Sequence, residues 1–248
     1  MMKGLLFKEF YLTRKTYLGF LGVFIGMSSL CILAALSMIC GNLQGIMTES
    51  PEEVNMYFQM FVYAPFAISV FSVAVGEDSV FKDYASGWMQ YCYTSPVPAV
   101  KIVGVRYVTV VIVAIASLVL GLGNAGIVSL ILGETITAGI LKNMLVILIV
   151  AIGYSFFDIP MALRFKTAQA AQSKVGIAIM LIYIVAFGWF FKKSEQLKGE
   201  AFDQYMADMM EKAINVRDML LPLAPIIMLV LFAVSFTISI KLYQRREK

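Results

Sequence analysis

The sequence predicts an all-α integral membrane protein, and three observations carry that prediction. Of 248 residues, 60% are apolar and 15% are charged, with a mean hydropathy of +0.82. Soluble domains run near ~45–50% and ~25%. Six stretches are nearly free of charge and close to the ~20 residues a helix needs to cross a bilayer. No stretch alternates polar and apolar residues over the roughly ten-residue rhythm of a barrel strand. The same composition excludes disorder, which needs low hydrophobicity and high charge.

In chain order, residues 1–16 set Lys3, Lys8, Arg14 and Lys15 among Leu5, Leu6, Phe10 and Tyr11. That pattern predicts an interfacial elbow helix on the inner leaflet. The first span follows at 17–40; it is too long for the apolar core of a signal peptide and is read as retained. Further spans fall at 57–76, 107–133, 138–157, 175–191 and 220–242. Lys142 and Lys241 sit near enough to span ends to snorkel to the headgroups. Residues 192–221 place Phe202, Tyr205, Met206, Met209, Ala213 and Val216 at helical spacing, which predicts an amphipathic helix outside. Pro222 and Pro225 suit the opening turn of the last span. The whole chain, 1–248, reads as one transmembrane domain.

Orientation follows from the twenty basic residues. With the N-terminus inside, fourteen lie on the inner side: Lys3, Lys8, Arg14, Lys15, Lys82, Lys101, Arg106, Arg164, Lys166, Lys174, Lys241, Arg245, Arg246 and Lys248. Six lie outside: Lys142, Lys192, Lys193, Lys198, Lys212 and Arg217. The excess of inner positive charge puts both termini in the cytoplasm of a multi-pass protein of the cell membrane.

The longest inner connection, 77–106, has a helical pattern of its own. Phe81, Tyr84, Ala85, Trp88, Tyr91 and Cys92 recur at spacings of three and four, and Pro96 and Pro98 end the run. Such a helix either rests its aromatics among the headgroups or serves as a lever that a soluble partner pushes. In the second span, Tyr57, Phe58, Phe61, Tyr63, Phe66 and Phe71 surround Pro65. These aromatics suit lipid contact, or a pathway lining for an amphipathic cargo.

Several chemistries are excluded. Histidine is absent, and Cys31, Cys40 and Cys92 form no CxxC pair, so neither a metal centre nor a catalytic base is indicated. No catalytic, cofactor-binding or metal-ligating residue is assigned. The GxGxxG at Gly121–Gly126 lies inside an apolar span without a βαβ unit and reads as helix packing, as do Gly22 and Gly26. Span interiors hold no Asp, Glu or His to couple an ion gradient. Asp158 at an inner boundary reads as an interfacial cap or a partner of Arg164. No GxxxxGK[ST] occurs, so ATP and its Mg²⁺ would sit on another subunit.

The run Glu77-Asp78-Ser79, Lys82-Asp83-Tyr84, Ser86-Gly87-Trp88, Tyr91 and Thr94-Ser95-Pro96-Val97 resembles the ABC-2 type permeases of bacterial ABC transporters. Lys3-Gly4-Leu5-Leu6 with Lys8-Glu9-Phe10-Tyr11-Leu12 is similar to their N-terminal elbow. Phe157-Asp158-Ile159-Pro160 with Leu163-Arg164-Phe165 is similar to their exit from the fourth span. Within the family, the branch exporting peptides such as phenol-soluble modulins is the nearest match. The resemblance implies a dimeric exporter subunit that couples to a cytosolic ATPase through Glu77, Asp78, Phe81, Asp83, Tyr84, Trp88 and Tyr91. The alternative is a non-transporting membrane scaffold or immunity protein.

Overall fold

The computed structural model of the protein describes residues 2–40, 51–74, 78–89, 91, 97–165 and 200–247. Among them every regular element is a helix. In chain order these are α1 (Met2–Cys40), α2 (Pro51–Ala74), α3 (Asp78–Ala85), α4 (Ala99–Leu132), α5 (Ala138–Arg164), α6 (Glu200–Leu220) and α7 (Ala224–Glu247). A 3-10 turn at Leu221–Leu223, containing Pro222, joins α6 to α7. Among the described residues, five helical stretches are long and apolar enough to cross a bilayer: α1, Val54–Ala74 of α2, α4, α5, and Ala207–Arg245 across α6 and α7. The span expected at 175–191 lies outside the described residues, as do Glu77 and Cys92 of the inner connection.

Several helix ends follow from single residues. Pro98, extended at φ −63° and ψ 137°, immediately precedes α4. At the far end Gly133 takes φ +73°, where a side chain is disfavoured, and its N–H bonds Ser129 O at 3.0 Å. Thr137 caps α5 by accepting the Ile140 N–H.

Other boundaries differ from the sequence reading. The expected elbow at 1–16 and span at 17–40 form one unbroken helix of 39 residues, roughly 58 Å long. Helix α4 begins at Ala99 rather than 107, and α5 continues to Arg164 rather than 157. The physical reason is common to these cases. Hydropathy ends a span at its first charges, whereas a helix ends where its backbone loses partners. Arg106 and Asp158 therefore stay helical, and both are only 2% exposed.

Helix α4 packs against α1, α2, α5 and α7, while α2 also packs on α1 and α5. Phe58, Phe66, Val103, Met144, Ile159 and Leu163 form the centre of the apolar core. Close packing explains one glycine. A Cβ at Gly121 would collide with the Phe66 ring and stand 3.0 Å from Met144 Cε. Gly22, Gly26, Gly123 and Gly126 meet no neighbouring atom within 4 Å at that position. Gly121→Val is therefore expected to lower the thermal midpoint, at a cost of about 1–3 kcal/mol from overpacking. Gly123→Ala should leave the midpoint within error.

Pro65 sits inside α2 and Pro160 inside α5, and each removes the N–H that would satisfy the carbonyl four residues earlier. Pro65 frees Phe61 O, and Asn124 Nδ2 of α4 donates to it at 3.0 Å. Asn124 Oδ1 in turn accepts the Ser28 hydroxyl of α1. Pro160 frees Phe156 O, and the Ser235 hydroxyl of α7 donates to that oxygen. Tyr107 of α4 lies 2.6 Å from Ser235 Oγ and 3.0 Å from Ser239 Oγ. Without water in the hydrocarbon, such donors are what make an intramembrane proline tolerable.

Candidate functional site

Among the described α-helices, α3 is the shortest and the one most tightly tied to its neighbours by charge. Val80 and Phe81 insert into the core, and Asp83 is fully buried. Lys8 Nζ of α1 lies 2.6 Å from the Asp83 carboxylate, and Arg106 Nη2 of α4 lies 2.9 Å from it. Glu9 closes the cluster, with its Oε1 3.3 Å from Lys8 Nζ and 4.0 Å from Arg106 Nε. Two cations and two anions thus balance in a volume from which water is almost excluded. Burial pushes the Asp83 carboxyl above its ordinary range; Arg106 and Lys8 pull it back, and Glu9 adds to the rise.

Further bonds fix the helix from both sides. Lys82 Nζ donates to Thr16 Oγ1 at 2.9 Å, and the Tyr84 hydroxyl reaches Leu163 O at the end of α5 at 3.5 Å. The face of α1 turned inward here is polar, with Glu9 3% and Thr13 1% exposed, whereas Phe7 is 71% exposed. In the structure Lys8 and Glu9 pair within the protein and Phe10 packs against the core, while Lys3, Arg14 and Lys15 are exposed together with Phe7 and Tyr11.

The chain then turns. Gly87 adopts φ +73° and its N–H bonds Tyr84 O at 3.3 Å, so the continuous helix expected through Tyr91 breaks at Ser86-Gly87. Ala85, Ser86, Gly87 and Tyr91 are exposed. Trp88 is half-buried, its ring 4.9 Å from that of Tyr91 and under Lys8 Nζ at 5.2 Å.

The predicted coupling residues therefore divide. Phe81 and Asp83 are inside, Tyr84 and Trp88 are at the boundary, and Tyr91 faces out. The side chain of Asp78 is not among those described. Lys8, Glu9 and Arg106 were not singled out as site residues. The available signal was a set of charges in apolar flanks on the same side as Asp83, but their pairing across 75 and 23 residues is not visible in local spacing. Of the six aromatics in α2, Phe58, Phe61 and Phe66 lie in the core, Tyr57 and Tyr63 are half-buried, and Phe71 is 62% exposed. At the opposite end of the bundle, Asn143 Nδ2 donates to Tyr63 Oη at 3.0 Å while Asn143 Oδ1 accepts from Arg217 Nη1 at 2.7 Å, tying the end of α6 to α5.

A bundle of apolar helices with a short amphipathic helix clamped by buried ion pairs between their ends defines a polytopic membrane protein. Residues 4–244 match the sequence profile of the ABC-2 family transporter proteins, and the chain belongs to that family. No curated protein matches the sequence. Membership makes the chain the permease component of an ABC transporter, a membrane subunit without its own ATPase, and implies an ATPase partner.

Proposed function

We propose that the protein is the permease of an ATP-driven exporter for peptides or other amphipathic molecules, working as a dimer with two cytosolic ATPase subunits. ATP and Mg²⁺ reside on those subunits. Both termini and α3 face the cytoplasm, in keeping with the distribution of basic residues. The observation that carries the reading is the contrast within one short segment. The body of α3 is locked by ion pairs to α1 and α4, while the turn at Ala85–Gly87 and Tyr91 stands exposed. A push on that turn reaches α1, α4 and α5 together, because α3 has bonds to all three. Closure of the ATPase dimer then moves the spans as rigid bodies. The exposed Phe71 remains the aromatic of α2 best placed to meet cargo.

The test is copurification with the ATPase encoded beside it. The Ser86→Glu/Tyr91→Glu double variant should weaken association about 30-fold, as loss of a docking anchor does, with an unchanged thermal midpoint. Undiminished association and ATP turnover would remove the lever assignment. A scaffold would show no nucleotide-dependent change in either protein.

A further inference from the structure

We infer that the groove between α5 and α7 is a binding site for an anionic phospholipid. It encloses about 470 Å³, and its floor is apolar, with Phe157, Pro160, Val234 and Ile238 along its length. Phe157, Val234 and Ile238 are 58%, 54% and 45% exposed, so the groove opens sideways, where lipid lies. At one end stand Arg164, in the last turn of α5, and Arg245, near the end of α7.

Charge decides the occupant. Among the described lining residues the two arginines are the charged groups, and none is an acid. Arg164 is further held by its stacking near Phe165, with Cζ 5.8 Å from the ring centroid. An apolar trough ending in a pair of arginines matches one molecule with a long tail and an anionic head. Basic pockets between spans on the cytoplasmic side take such headgroups. The arginine end is also the α3 end, because Tyr84 reaches Leu163 one residue before Arg164. The site therefore belongs to the inner leaflet in the orientation proposed above. It rests on that orientation alone and is independent of the ATPase.

The experiment is native mass spectrometry of the full-length protein in detergent with equimolar phosphatidylglycerol and phosphatidylcholine. Phosphatidylglycerol should be retained selectively, and Arg164→Gln/Arg245→Gln should reduce that selectivity about 25-fold, about fivefold per arginine. Ile238→Trp, which fills the trough without touching charge, should displace the lipid while the thermal midpoint holds. Equal retention of both lipids, selectivity that survives the arginine variant, or retention indifferent to Ile238→Trp overturns the site. So does retention of neither lipid, which would mean that protein covers the groove. Loss of ATPase association with lipid selectivity intact would instead count against the exporter reading alone.

Discussion

Arg106→Gln is expected to cost about 3–5 kcal/mol, the usual penalty for removing one member of a buried ion cluster. The variant leaves Asp83 and Glu9 buried with Lys8 as their remaining cation. The expected signature is its pH dependence. Asp83 already titrates above its ordinary range because of burial, and Arg106 is the largest influence opposing that rise. Without Arg106 the carboxyl climbs further. A carboxyl whose folded value exceeds its unfolded value favours the folded state below about pH 4, and that contribution is lost as pH rises through the folded value. The deficit of Arg106→Gln should therefore be small in acid and grow toward neutral pH. Adding Asp83→Asn should recover stability and flatten the profile. Thermal midpoints of the purified protein between pH 4 and 8 read both effects. A pH-independent deficit, or a double variant worse than the single, would contradict this account of the cluster.

Asn124→Ala is expected to cost about 1–3 kcal/mol, because it strips a buried carbonyl and a buried hydroxyl of their partner together. Its donation to Phe61 O substitutes for the bond that Pro65 cannot make. That substitution is testable by a double-mutant cycle. In a Pro65→Ala background the restored N–H satisfies Phe61 from within α2, and the same Asn124→Ala change should cost about 1 kcal/mol less. Denaturation midpoints of the four proteins supply the cycle. Equal costs in the two backgrounds would mean that Asn124 matters for another reason, such as the volume it fills.

Much of the fold was legible because the bilayer imposes a simple rule on long apolar runs. The spans near α2, α4, α5 and α7 were found that way, and residues of known local chemistry, namely Pro98, Thr137 and Gly133, mark helix ends. The site was legible only in part. The α3 segment was identified from its aromatic spacing and its resemblance to the family. Its break at Gly87 was not, since a helical period continues on paper through a residue that the backbone turns to positive φ. The inward turn of Glu9 and Thr13 was likewise hidden. An amphipathic pattern shows that two faces differ, not which face the protein covers. Asn124 was visible only as part of a glycine motif, and its purpose appears once Phe61 O lies 3.0 Å away.

The repaired prolines have a mechanical corollary. Each cross-link spans neighbouring helices, one chain of bonds running from Ser28 through Asn124 to Phe61, the other from Tyr107 through Ser235 to Phe156. Sliding or unscrewing any of these rods past the next would strand a carbonyl in oil. The stroke that such a staved cask can make without leaking is a tilt of the whole, so a passage should open along its outer wall and not between its staves.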